Sequence, residues 1–288
     1  MGMRKFVKKI MWFLFFPMIY FIIIGWINYI NYSQFTPEIK SKIIIVGDSH
    51  LQMALNPKII HNSSNICLSA ETYIISYWKL KKILKKNKPR KVLIGFAQHN
   101  LSAFNDLKFF NEGISTQFFI RYYPILDFQK SNSFKIDYKE YYHILWKETC
   151  FYPKTTHGNY LGYYITSKQS KVNDSEVVAT RHYGPIDNHF GSSKICRIYL
   201  DSILWICKKH AITPILIGTP VHNSYYTKIP TSHQKFFEKT KKELRKKGIL
   251  IIDKTHEQYP DSLFFQTDHL NEKGSRRFSI EINRILKN

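Results

Sequence analysis

The amino-terminal segment and the rest of the chain follow different hydrophobic patterns. Residues 10–30 carry no charge and are dominated by Ile, Phe, Met and Trp, a run long enough to cross a bilayer as a helix. Arg4, Lys5, Lys8 and Lys9 precede it, and Trp26, Asn28, Tyr29, Asn31 and Tyr32 close it. A cleaved signal would instead have a shorter apolar core and end in small residues. An uncleaved anchor is therefore expected, with Trp26, Tyr29 and Tyr32 at the membrane interface. Four cations precede the span, and only Lys40 and Lys42, set against Glu38, follow it, so the amino terminus should stay in the cytoplasm. Everything after Tyr32 then faces the periplasm or cell exterior. Pro17 is tolerated inside a membrane helix and is expected to kink it at most.

Past a linker at 33–41, short apolar runs alternate with amphipathic stretches. Ile43-Ile44-Ile45-Val46 are consecutive β-branched residues, which predict a strand buried on both faces, and Gly47 then permits a sharp turn. A short helix or turn follows, interrupted at Pro57, then a strand at 65–68. Residues 72–86 read as a helix. Ile75, Trp78, Leu80, Ile83 and Leu84 lie on its apolar face, while Lys79, Lys81, Lys82, Lys85 and Lys86 lie mostly on the opposite, solvated one. A third strand at 91–97 ends on Gln98-His99-Asn100. After residue 189 the pattern predicts a helix at 192–210 and a strand at 214–218. A basic helix at 231–247 stopped by Gly248, a strand at 249–253 and a terminal helix at 271–286 complete it. This alternation predicts an α/β fold: a doubly wound, flavodoxin-like parallel sheet of about five strands, with its site at the carboxyl ends of the strands. Ser49, Asn100 and the segment after Asp253 fall there.

Between 101 and 189 the rhythm is lost. This stretch is rich in Tyr and Phe, with turn signals at Pro124, Pro153, Gly158-Asn159 and Gly184-Pro185 and a helical pattern at 138–146. It reads as an insertion over the carboxyl edge of the sheet, whose aromatics either stack on sugar rings or form a core of their own. The expected organisation is a cytoplasmic stub and anchor at 1–32, the linker, and an α/β domain at 42–288 carrying the insertion.

Composition narrows the partners. An apolar share of 44% over 288 residues is ample for a packed core and excludes a disordered chain. The formal charge of +22 predicts attraction to anionic surfaces such as lipid head groups or acidic glycans. Nucleic acid is not an expected partner, given the outward orientation and the dispersed lysines. Cys67, Cys150, Cys196 and Cys207 lack the paired close spacing of a zinc site. Cys196 and Cys207, on one helix, would stand roughly 16 Å apart by helical rise, too far for a bridge. No phosphate-binding glycine loop or nucleotide fingerprint is found, so neither a cofactor nor a metal is expected. His50, His99 and His222 flank strand ends, where they either line the cleft or, on the plainer reading, serve a turn or packing role. His182 and His189, with Asp187 near, lack a recognised ligand spacing.

Two stretches carry candidate chemistry: Gly47-Asp48-Ser49, and residues 264–274 with Gln266, Asp268, His269, Leu270, Asn271 and Gly274. A histidine on the loop after the last strand can reach across the sheet edge to a serine on the first strand's turn. An imidazole is what a serine hydroxyl needs to become a nucleophile, and the tetrahedral intermediate then needs donors at its oxyanion. In this order the blocks resemble the SGNH (GDSL-type) hydrolase superfamily. The resemblance implies Ser49 as nucleophile and His269 as base. It implies an oxyanion hole from the Ser49 amide, an amide at Ser69 or Ala70, and Asn100. The family glycine is not evident within 65–70. The family also orients its histidine by Asp-x-x-His, and here the position three before His269 is Gln266. Asp268 on an altered loop path, Asp253 reaching in, or a Ser-His dyad held by Gln266 or a carbonyl remain as orienters, with Asp268 first.

A single anchor with an outward SGNH-like domain is similar to the alginate O-acetyltransferase proteins and the D-alanyl transfer proteins of teichoic acid synthesis. That similarity implies a serine esterase or O-acyltransferase acting on a cell-envelope glycan or other acylated polymer, beside a multispanning membrane acyltransferase. The alternative, to which Gln266 points, is a non-catalytic glycan-binding or assembly protein.

Overall fold

Ile43–Val46 leaves no polar position for water, and it forms β1 inside a five-stranded, wholly parallel sheet. The other strands are β2 (Ser63–Asn65), β3 (Lys91–Gly95), β4 (Thr213–Gly218) and β5 (Leu250–Asp253), in the order β2-β1-β3-β4-β5. This is the flavodoxin-like order expected of the alternating pattern. Register aligns Val46 with Ile94, Gly95 with Ile217 and Gly218 with Asp253, so these strands end level on one edge. The computed structural model describes residues 2–33, 38–122, 125, 134–152 and 161–287. The turn signals at Pro124, Pro153 and Gly158-Asn159, and part of the linker, lie outside these residues.

Successive strand residues face opposite sides of the sheet, so β1 serves two cores. Ile44 and Val46 join Leu80, Ile94, Leu200, Leu216 and Phe237 under α3 (Tyr73–Ile83), α8 (Lys194–Lys209) and α10 (Thr231–Lys246). Ile45 joins Leu51, Leu93, Ile217, Phe278 and Ile282 on the other face, under α2 (Ser49–Ala54) and α11 (Glu272–Lys287). Each such fully buried aliphatic side chain contributes about 2 kcal/mol relative to exposure.

Three local expectations are revised. The second strand begins earlier than 65–68, because half-exposed Ser63 and Ser64 are acceptable on an edge strand. The following residues still bond β1, through Ile66 N to Ile45 O (2.9 Å) and Leu68 N to Gly47 O (3.1 Å). Lys79 is not on a solvated face: it is fully buried, pairs with Glu71 and donates to the carbonyls of Ile66 and Leu161, both at 2.7 Å. Burial pushes the Glu71 carboxyl up to about 7, against the pull of that ammonium. Finally, the segment before the last helix is an antiparallel hairpin of β6 (Phe264–Gln266) and β7 (His269–Leu270), strands too short to show an alternating pattern.

By Cα proximity the chain divides into two units, Met1–Thr36 with Phe110–Tyr160, and Pro37–Phe109 with Leu161–Asn288. The second holds the sheet. In it α4 (Phe104–Phe110) starts, α7 (Ser175–Tyr183) lies, ended by Gly184 at φ 83°, and the short α9 (Asn223–Tyr226) precedes α10. The first holds α1 (Met3–Ser33), α5 (Glu112–Tyr122) and α6 (Tyr138–Cys150), the last longer than its 138–146 pattern. α1 is long and apolar enough to cross a membrane and contains Pro17. Phe118, Phe119, Tyr122, Phe134 and Tyr141 are buried, so these aromatics of the insertion form a core rather than a sugar platform.

Candidate active site

Gly47 ends β1 at φ 153°, a conformation that disfavours side chains, and a Cβ there would stand 3.3 Å from Gly95 N of the neighbouring strand. The close approach of these two glycines sets the turns after β1 and β3 side by side. Asp48 then caps α2, accepting the backbone N–H of His50 at 3.0 Å, and Ser49 opens the helix. After β3, the 3-10 turn Gln98–Leu101 presents His99 and Asn100. The β6–β7 hairpin supplies Asp268 and His269 from the other end of the chain.

Ser49 Oγ lies 2.7 Å from His269 Nε2, and His269 Nδ1 lies 2.7 Å from Asp268 Oδ1. Burial pushes the Asp268 carboxyl up, but the imidazoles of His269 and His50 outweigh it and hold it well below the usual carboxylate range. With Asp268 ionised, Nδ1 of His269 carries the proton and Nε2 is left to accept from the serine hydroxyl. The second oxygen, Oδ2, meets Arg181 of α7 at 3.2 Å and His50 Nε2 at 3.5 Å.

Asp48 is built differently. Besides the His50 amide, it accepts from His99 Nε2 at 2.8 Å and Asn100 Nδ2 at 2.7 Å. Burial opposes its charge, yet His99 and His50 keep it ionised below the ordinary range. His99 in turn is pushed down to about 4, by burial and then by His50, against the pull of Asp48, so it is neutral and donates through Nε2. Asn100 Oδ1 accepts from Ala97 N at 2.9 Å.

Asp253 is elsewhere: it bonds Lys241 Nζ at 2.7 Å and Thr255 Oγ1 at 2.7 Å, away from His269. Gln266 pairs in register with His269 across the hairpin, but the group on His269 Nδ1 is Asp268. Ala70 sits at φ 62°, a left-handed conformation that glycine adopts more easily, just after Leu68 and Ser69 leave the sheet.

Residues outside the motif also reach the site. The rings of His50 and His99 stack at 3.9 Å, those of His99 and His182 at 5.0 Å, and His50 lies 4.8 Å from His269. His182 Nδ1 shares a hydrogen bond with the Tyr225 hydroxyl at 2.8 Å. The turn-or-packing reading of His50 and His99 missed this. The available signal was their position, each adjacent in sequence to a motif residue, Ser49 or Asn100. Arg181 and His182 carried no such mark. Asp48, His50 and His99, and likewise His50, Asp268 and His269, bring potential ligand atoms within 4.8 Å of one another. In both sets the carboxylates and the other imidazoles are engaged in hydrogen bonds, and both ring nitrogens of His50 are buried without a hydrogen-bond partner among the described residues.

The chain is similar in fold to several solved structures. The fold matches, at a TM-score of 0.43 and 10% identity, a protein assigned to the G-D-S-L lipolytic family from Desulfitobacterium hafniense, covering 85% of this chain and 99% of that one. It matches a lipase/acylhydrolase from Enterococcus faecalis at 0.41 and 16%, covering 85% and 95%. A GDSL-like lipase from Bacteroides thetaiotaomicron matches at 0.41 and 10%, covering 91% and 98%. Comparison with curated protein sequences finds no match. The family model described as DltD protein matches residues 199–287. That stretch runs from within α8 to the end of α11 and contains Asp268 and His269, so over it the chain is similar to the DltD proteins.

Proposed function

We propose that this chain is a serine esterase or O-acyltransferase of the cell envelope, held by α1 with its α/β unit outside the membrane, that handles acyl esters of an envelope glycan or related polymer. The observation that carries the reading is the hydrogen-bonded series Ser49 Oγ, His269 Nε2, His269 Nδ1 and Asp268 Oδ1, with 2.7 Å at each hydrogen bond. Similarity to the DltD proteins over 199–287 supports the D-alanyl esters of a teichoic acid as the substrate class and a multispanning membrane acyltransferase as the partner. The net charge of +22 suits a polyanionic polymer.

In this mechanism Ser49 Oγ attacks the ester carbonyl as its proton passes to His269 Nε2, and Asp268 stabilises the imidazolium that forms. The oxyanion is held by the backbone amides of Ser49 and Ala70 and by Asn100 Nδ2. His269 then returns the proton to the departing alcohol, leaving acyl-Ser49. Attack by water gives an esterase, and attack by a polymer hydroxyl gives a transferase. The test is labelling by a fluorophosphonate together with turnover of D-alanyl and acetyl esters. Wild type should be labelled at Ser49 and turn over ester, and Ser49→Ala and His269→Ala should do neither while melting as wild type does. A folded wild type that is neither labelled nor active defeats the reading and leaves a binding protein.

A further inference from the structure

Within the first unit, the end of α6 packs on the apolar part of α1. Phe21, Gly25 and Asn28 form one stripe of α1, at helical spacing. The Phe21 ring lies 5.4 Å from Trp146 and 5.3 Å from Phe151, whose rings are 4.9 Å apart. A Cβ at Gly25 would come 3.2 Å from Cys150 Sγ, so the glycine lets the two chains close together. Asn28, fully buried, donates to the carbonyls of Thr149 and Tyr152, and Tyr20 OH donates to the carbonyl of Phe151 at 2.8 Å.

The last carbonyls of a helix have no intrahelical partner. In water they need no dedicated donor, whereas in hydrocarbon each must find one in the protein. Three carbonyls around the end of α6 receive donors from α1, two of them from the asparagine of an otherwise apolar stretch. Tyr20 and Phe21 stand roughly 12 Å along α1 from Tyr29, by helical rise, on the apolar side of the aromatic belt. The outward residues of this end are Tyr142, Trp146 and Tyr152, at 57%, 45% and 71% exposure, the residue types that favour a membrane interface. Lys147 is exposed too, with a stem long enough to carry its charge to the head groups.

We propose that the carboxyl-terminal turn of α6, with residues 151–152, is buried in the outer leaflet beside α1, its partner being the lipid bilayer. The inference rests on the reading of α1 as a span with its carboxyl end outside, and on nothing at Ser49. It is tested on the full chain carrying Cys150→Ala in vesicles of phosphatidylglycerol and phosphatidylcholine. A spin label is placed at Tyr152→Cys, at Phe13→Cys within α1, or at Lys208→Cys on the exposed surface of α8. Collision with oxygen, which concentrates in lipid, is compared with collision with a water-soluble nickel chelate. The expected result is an oxygen-to-chelate ratio at Tyr152→Cys severalfold above that at Lys208→Cys and close to that at Phe13→Cys. Adding Asn28→Ala should lower the ratio at Tyr152→Cys and leave Phe13→Cys unchanged. A ratio at Tyr152→Cys equal to Lys208→Cys, with Phe13→Cys still in lipid, overturns the proposal alone. An aqueous Phe13→Cys overturns it together with the anchor reading.

Discussion

Asp48 and Asp268 are both buried, both next in sequence to a member of the Ser49–His269 contact, and both held ionised by imidazoles. Their surroundings give them different work. Every bond to Asp48 comes from its own turn or the neighbouring one, through the His50 amide, His99 and Asn100. With three donors on two oxygens, it ties the turn after β1 to the turn after β3. Asp268 gives one oxygen to His269 and turns the other toward the Arg181 guanidinium and the His50 imidazole. A carboxylate placed this way can stabilise a developing imidazolium, whereas Asp48 has no contact with His269 through which to do so. What separates them is the identity of the donors, not burial or charge.

Exchanging each carboxylate for an amide is the sharpest way to break this comparison. Asp268→Asn should slow Ser49 labelling by about a thousandfold, since it removes the charge that fixes the His269 tautomer, with little change in Tm. Asp48→Asn should do the opposite, costing about 2–3 kcal/mol of stability in urea unfolding as charge-assisted bonds are lost, with a much smaller rate effect. Equal losses of rate in the two variants would erase the distinction.

Arg181→Ala comes next. Removing the cation at Asp268 Oδ2 should lower the labelling rate by about fivefold at low salt and less at high salt, because Arg181 is 47% exposed and its field is screened. Arg181→Lys should recover part of the loss, and a salt-independent effect would point to packing instead.

His50 sharpens the comparison through pH. Burial lowers its affinity for a proton, but Asp48 and then Asp268 outweigh this and raise its pKa above 6.5. A raised folded pKa means stability present in full below 6.5 and lost as pH rises through the folded value. The stability gap between wild type and His50→Gln, read by urea unfolding, should therefore be widest below pH 6.5 and close above it. A gap that widens with pH would contradict the charged role. The smallest effect belongs to Ala70→Gly. Relieving φ 62° should stabilise the chain by up to about 1 kcal/mol in urea unfolding, partly offset by the freer unfolded state.

Much of the architecture was legible along the chain. The β-branched run at β1, the amphipathic patterns of α8, α10 and α11 and the stop at Gly248 mark the sheet and its covering helices, because each depends on residues close in sequence. Ser49 and His269 were legible as a pair from their order at the two ends of the domain. The orienter was legible only as a set of alternatives with Asp268 first, because the usual spacing is absent. Spacing rules look three residues before the histidine and find Gln266, and only the β6–β7 turn brings Asp268 onto the adjacent ring. Lys79 shows the same limit, since a helical wheel places it among surface lysines and cannot know that Glu71 and two carbonyls close over it.

By itself, then, the sequence determined strand and helix periods, the apolar amino-terminal run and the residue types available for acyl chemistry, all properties of neighbours in the chain. The partners were decided by tertiary structure. His50, His99 and His182 stack beside His269 because β1, β3, the hairpin and α7 meet at one edge, and Arg181 finds Asp268 there. Hydrogen bonds and ion pairs act over a few ångströms through space, so pairs 87 or 220 positions apart in sequence are settled only once the chain has closed on itself.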